Sequence, residues 1–331
     1  MTLRSPAWRY RLFRSVCGGA RSSPGATVSM EKARLTPFPR EQATTRICLV
    51  SSFATELLEI RSKEKEPSLH VLVIPGNPGI AAFYKNFVEA LYENIDGQAS
   101  VTAIGHISHS QKDSERGRLF SLHEQIDHKV DFIEQELQHS ETSIVLVGHS
   151  IGAYIGLEVF KRFPNKLNKN SVTQSAIGYI ARSSLLSKGV SLFASFIGSL
   201  QPSVTRGIVR RFLGPSWSVT AVDVACCHLL KYHTVRNVLF MAMTEFQKLT
   251  EEPDWTFVRA NEGKLAFLFG VDDHWGPLSH FEEISKRAPG VTLTVETEGH
   301  THGYCCNEPG SFWVADYIAN LIKNQSLIRN N

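Results

Sequence analysis

The chain has 331 residues, 42% hydrophobic and 20% charged, with 23 glycines and 14 prolines. That globular mixture excludes wholesale disorder, collagen and a continuous coiled coil. A net charge of +3 is too mild to imply nucleic acid, and no run reaches the ~18 apolar residues of a membrane span, so a soluble or peripheral protein is expected.

Five arginines (Arg4, Arg9, Arg11, Arg14, Arg21) and no acid precede Glu31. Residues 1–35 therefore read as an organelle presequence, or as an unused extension upstream of Met30, and in either case lie outside the fold. Short apolar runs at 47–50, 56–60 and 70–74 predict three strands, the last stopped by Pro75-Gly76. A helix is expected over 81–92, a strand over 101–104, and a helix carrying Ile126, Val130, Ile133 and Leu137 on one face. The wholly apolar run 144–147 is the next strand, and 152–163 the next helix. Farther on come a strand at 265–269, a helix near 281–286, a strand at 291–295 and a last helix over about 311–323. Alternation of this kind predicts an α/β fold with a mostly parallel sheet covered on both faces.

Cys17, Cys48 and the neighbouring pairs Cys226/Cys227 and Cys305/Cys306 match neither a redox C-x-x-C nor a zinc site. Reduced structural thiols are expected.

The chemistry concentrates where strands end. Gly148-His149-Ser150-Ile151-Gly152 joins an apolar strand to a helix, the setting of a nucleophile elbow. Flanking glycines permit the tight turn, which would expose the Ser150 hydroxyl at the sheet's carboxyl edge. The Ile151 N–H then lies at a helix N-terminus, where an oxyanion is stabilised. A serine needs a base, and the base an orienting carboxylate. Asp272 and Asp273 follow the 265–269 strand and His300 and His302 follow the next, in the order Ser, Asp, His. Spacing leaves both pairs open and favours Asp273 and His302. The turn Pro75-Gly76-Asn77-Pro78-Gly79 is placed to supply a second oxyanion donor, and since Pro78 has no N–H, Asn77 is the candidate. This turn lacks the pattern of a P-loop or dinucleotide fingerprint. His106 and His109 read as loop residues near the cleft rim, and neither a metal nor another cofactor is expected.

These residues resemble the lipid-droplet-associated serine hydrolase family, a branch of the α/β-hydrolases, over about residues 45–325. The resemblance rests on Pro-Gly-Asn-Pro-Gly-Ile-x-x-Phe-Tyr at 75–84, Gln125-Ile126-x-His128-Lys129 and Gly148-His149-Ser150-Ile151-Gly152. It extends to Gly270-x-x-Asp273-x-Trp275-x-Pro277 and His302-Gly303-Tyr304, with wording closest to plant members. It implies Ser150 as nucleophile, Asp273 as acid and His302 as base. It further implies association with lipid droplets or endoplasmic reticulum and an ester-hydrolase role in lipid storage.

One departure stands out. After Phe163-Pro164 such a fold expects an apolar strand, but the chain reads Asn165-Lys166-Leu167-Asn168-Lys169-Asn170-Ser171. A central strand is therefore expected to be missing, with a damaged sheet or an altered Asp273–His302 relation. The expected organisation is a hydrolase core over 45–164 and 263–325 with a helical lid over 165–262. Within the lid, residues 189–200 are apolar around most of a helix and are followed by Arg206, Arg210 and Arg211. This suits insertion into a lipid monolayer, or burial over the cleft. The expected function is a serine ester hydrolase acting on lipid esters through an acyl-enzyme. The alternatives are a droplet-surface protein with an impaired site and an acyltransferase using the same residues.

Overall fold

The structure is a computed structural model that describes residues 42–137, 142–164, 167–172, 184–273 and 275–329. The expected presequence over 1–35 lies outside the described residues. Among the described residues, eight strands form one sheet: β1 Thr44–Val50, β2 Phe53–Ile60, β3 Leu69–Ile74, β4 Ser100–Ile104, β5 Ser143–Gly148, β6 Leu167–Val172, β7 Leu265–Gly270 and β8 Thr292–Glu296. Their spatial order is β1-β2-β4-β3-β5-β6-β7-β8. β1 and β2 form an antiparallel hairpin, and β2 joins β4 antiparallel. All later pairings are parallel.

The helices in chain order are α1 Lys85–Asn94, α2 Leu122–Phe132, α3 Ile151–Arg162, α4 Ser184–Gly198, α5 Pro202–Leu213, α6 Val219–Val224, α7 Tyr232–Lys248, α8 Trp255–Ala260, α9 Leu278–Arg287 and α10 Glu308–Arg329. None of the described helices is long and apolar enough to cross a membrane.

The period-2 side-chain alternation of the strands divides the core in two. Val71 and Val73 of β3 join Val145 and Val147 of β5 on one face, with Phe87 and Leu91 of α1 and Ile318 of α10. Leu72, Ile74, Ile144 and Leu146 face the other way, toward Ile126 of α2 and Ile155 and Val159 of α3. Both faces are buried, which is why these strands read as continuous apolar runs.

The expected missing strand is present. Residues 167–172 form β6 between β5 and β7, matching Asn170 to Leu265, Ser171 to Ala266 and Val172 to Phe267. Against β5 the register runs from Ile144–Leu167 to Val145–Lys169, a one-residue irregularity. The correction has a physical reason. A parallel ladder is built from main-chain N–H and C=O groups, and leaving those of β5 and β7 unpaired inside the sheet is costly. Edge pairing thus recruits a segment whose composition does not advertise a strand.

Candidate active site

Ser150 caps the start of α3 with φ 57° and ψ −129°, and its side chain makes no capping bond to that helix. A left-handed φ is costly for a side chain with a Cβ, and it persists only where the surroundings impose it. The flanking glycines are part of that imposition. A Cβ on Gly148 would lie 2.5 Å from Ala153 Cα, and one on Gly152 would lie 2.2 Å from the Ile74 carbonyl oxygen. The loop after β3 passes close by, since a Cβ on Gly76 would come within 2.9 Å of Ser150 Cβ. Ser150 is consequently buried, at 6% exposure, rather than exposed as the motif alone implies.

Asp273 follows β7 and is fixed at both carboxylate oxygens. Oδ1 accepts the Trp275 N–H at 2.8 Å, and Oδ2 accepts from His302 Nδ1 at 2.8 Å. Burial pushes the Asp273 pKa up, but the hydrogen bond and charge of His302, with the Trp275 and Gly276 N–H groups, outweigh it and leave the carboxyl below its usual range. With Nδ1–H given to the carboxylate, a neutral His302 carries its lone pair on Nε2. Burial lowers the His302 pKa against the raising effect of Asp273, and nearby His149 lowers it further.

The structure pairs Asp273 with His302 and leaves their rivals elsewhere. Asp272 is exposed. His300 Nε2 is 3.9 Å from Glu298, its ring 5.7 Å from that of Trp313, and its main-chain N–H donates to Glu296 at 3.1 Å. Glu296, 4% exposed, also accepts the Glu298 N–H and so holds the turn that leads to His302. The expectation of an altered Asp273–His302 relation is therefore not met, because β6 keeps β7 at its place in the sheet. The serine and histidine loops meet at His149, whose ring centroid lies 5.1 Å from that of His302.

Ile151 opens α3 immediately after Ser150. Asn77 lies in the loop after β3, and its side chain reaches α7, donating from Nδ2 to the Val238 carbonyl at 2.9 Å. Asn77 also hydrogen-bonds Glu245 of α7, a 4% exposed carboxyl. Burial raises the Glu245 pKa to about 8, while Asn77 pulls it down.

His106 and His109 are not at the cleft rim. They are 3% and 2% exposed and brace the loop that carries Asn77. His106 N–H donates to the Gly79 carbonyl at 2.8 Å, and Gly79 N–H donates to His109 Nδ1 at 2.9 Å. Beneath them, Lys129 Nζ is fully buried, donating to the Gly105 carbonyl at 2.9 Å and facing His128 Nδ1 at 3.0 Å and Gln125 Oε1 at 3.5 Å. Gln125 grips both main-chain groups of Ile107. This support was missed because polar residues on an amphipathic helix normally face water. Its signal was present: Lys129 falls three after Ile126 and four before Ile133, inside the apolar stripe. Among the described residues no group of His, Cys, Asp and Glu could hold a metal ion, and Cys48, Cys226, Cys227, Cys305 and Cys306 are free thiols.

Comparison with known proteins agrees with this architecture. The family model described as lipid-droplet associated hydrolase matches residues 67–305. The lipid droplet-associated hydrolase of Dictyostelium discoideum is 27% identical over 291 residues, covering 80% of this chain and 93% of that protein. Its namesake from Gallus gallus is 28% identical over 261 residues, covering 72% and 80%. Among solved structures, a peroxisomal α/β-hydrolase of Saccharomyces cerevisiae superposes with a TM-score of 0.61 at 13% identity, over 88% of this chain and 91% of that one. The family match spans well over half the chain, so it belongs to the lipid-droplet-associated hydrolase family, built on the α/β-hydrolase fold.

Proposed function

We propose that the chain is a serine ester hydrolase acting on lipid esters at lipid droplets, with Ser150, His302 and Asp273 as its triad. The observation that carries this reading is the 2.8 Å His302 Nδ1–Asp273 Oδ2 bond, set on the loop that meets a strained serine elbow. His302 Nε2 takes the Ser150 proton as Oγ attacks the ester carbonyl, and Asp273 steadies the imidazolium. The main-chain N–H groups of Ile151 and Asn77 receive the oxyanion. Collapse of the tetrahedral intermediate transfers the His302 proton to the departing alcohol and leaves an acyl-serine. Water, deprotonated by His302, then releases the acid. Transfer of the acyl group to an alcohol uses the same residues, with the alcohol in place of that water. The alternative of an impaired site rested on an absent strand and on the unassigned lid, and β6 removes the first of these grounds.

A fluorophosphonate probe tests the reading directly. The expected result is a single covalent adduct on the peptide containing Ser150, absent from Ser150→Ala. An unlabelled folded protein would refute a competent nucleophile.

Droplet contact is proposed through the helical lid. Leu192, Phe193 and Phe196 of α4 are exposed by about three fifths, and Phe212 of α5 is 80% exposed. Arg206 is bound to Asp223 at 2.7 Å, whereas Arg210 and Arg211 are exposed beside Phe212. Aromatic insertion with arginines at headgroup level is the chemistry of interfacial binding. Burying one such aromatic contributes about 1.5–3 kcal/mol. The triple variant F193E/F196E/F212E is therefore expected to weaken binding to phospholipid-coated triolein droplets at least about a hundredfold, read by flotation. Undiminished binding would place the contact elsewhere.

A further inference from the structure

Three loops of the site are tied together by one hydrogen-bonded chain whose proton directions can be assigned. Gly76 N–H donates to the Tyr84 hydroxyl at 2.9 Å. That hydroxyl lies 2.6 Å from His149 Nδ1, and His149 Nε2 lies 2.9 Å from the His302 carbonyl oxygen. A carbonyl can only accept, so His149 Nε2 carries a hydrogen. In the neutral ring Nδ1 is then bare and accepts the Tyr84 O–H. Burial raises the Tyr84 pKa, with the neighbouring Cys305 and Tyr304 adding to it, so the phenol keeps the proton this requires. Both residues are enclosed, Tyr84 at 1% exposure and His149 at 6%.

We propose that Tyr84 and His149 are positioning residues of the hydrolytic site, forming a relay that locks the Asn77 loop, the serine elbow and the His302 loop in register. The inference rests on the Ser150–His302–Asp273 reading above and adds two residues that act through that triad. Its basis is where the relay is anchored. Gly76 precedes the oxyanion donor Asn77, His149 precedes the nucleophile, and the accepting carbonyl belongs to the base itself. A site loosened by even an ångström loses much of its rate.

The relay also fixes the orientation of the His149 ring. Tyr84, Tyr304 and His302 surround it, with Asp273 behind His302, and its two nitrogens are held from opposite sides by the Tyr84 hydroxyl and the His302 carbonyl.

The test combines a tautomer measurement with kinetics on the full chain. In ¹⁵N-histidine NMR of the wild type at neutral pH, assigned by loss of the signal in His149→Gln, His149 should show a protonated Nε2 and a bare Nδ1. A doubly protonated ring, or an Nδ1–H tautomer, overturns the relay without reference to any variant's folding. In Tyr84→Phe, kcat for a soluble short-chain ester should fall about tenfold or more with KM within about twofold, as loss of one buried hydrogen bond implies. Glutamine at 149 retains an N–H that reaches the His302 carbonyl, so His149→Gln should keep at least about ten times the kcat of His149→Leu. Equal kcat in those two variants, or a Tyr84→Phe kcat within about twofold of the wild type, would reject the proposal. Fluorophosphonate labelling of the wild type separates the two readings: absence of labelling fails the triad, whereas normal labelling with a failed relay outcome fails the relay alone.

Discussion

Ser150→Ala is expected to lower kcat on a short-chain ester by about 10⁴–10⁶-fold, with KM changed little. The hydroxyl makes no capping bond to α3, so its removal should leave the helix start intact and confine the loss to chemistry. Asp273→Asn should cost about 10⁴-fold, since the amide cannot stabilise the imidazolium and favours the wrong His302 tautomer. The pH dependence carries a sign. The proposed base, His302, can take a proton only when neutral, and burial sets its pKa below the ordinary value near 6.5. kcat/KM should therefore be flat through neutral pH and fall only below about 6.5, by tenfold per unit once His302 is protonated. In Asp273→Asn the carboxylate that raises the His302 pKa is gone, so the residual activity should persist to lower pH. An acid limb above 7 in the wild type would contradict the buried setting of His302.

Much of this site could be read from the chain because its chemistry sits at the ends of apolar strands. β3, β5 and β7 are buried on both faces, so their runs are unmistakable, and Asn77, Ser150 and Asp273 follow at their carboxyl ends. Choosing Asp273 over Asp272, and His302 over His300, needed either a resemblance or coordinates, because adjacent loop residues differ in direction and not in spacing. β6 was illegible for another reason. A strand between two others is held by main-chain bonds, and Leu167-Asn168-Lys169-Asn170-Ser171-Val172 carries no period-2 apolar pattern to betray it. The same limit hid the supports. His106 and His109 look like polar loop residues until Gly79 is packed against them, and Tyr84 is one aromatic among many until Gly76 and His149 close on its hydroxyl. Three-dimensional convergence of sequence-distant groups leaves a trace only where it violates a local pattern, as Lys129 does.

The supports predict a second large effect, acid unfolding well above the pH where carboxylates titrate. Burial lowers the pKa of His106 and His128 well below 6.5 and that of His109 to about 3, and the neighbouring Lys129 lowers all three further. A folded-state pKa below the unfolded one means that the unfolded chain binds the extra proton across the interval between them. The stability these rings contribute is thus intact above about pH 6.5 and lost as pH falls toward their folded values. A ring that stays neutral while folded costs about 1.4 kcal/mol per pH unit in that window. Glu245 works in the opposite sense. Its pKa of about 8 in the folded protein, against about 4.3 unfolded, returns about 1.4 kcal/mol per unit as pH falls. Asp273 titrates below the window. From pH 6.5 to 4.5, His109 at about 3 and buried His70, which desolvation lowers to about 4, set against Glu245 leave a loss of about 2–3 kcal/mol, and His106 and His128 act in the same direction. Total stabilities of single domains are about 5–15 kcal/mol, so urea midpoints should fall over this interval. His128→Gln, which cannot take up a proton, should reduce the slope. A midpoint unchanged between pH 6.5 and 4.5 would mean that the rings under the Asn77 loop take protons while folded, and the buried brace assigned to His106, His109 and Lys129 would have to be abandoned.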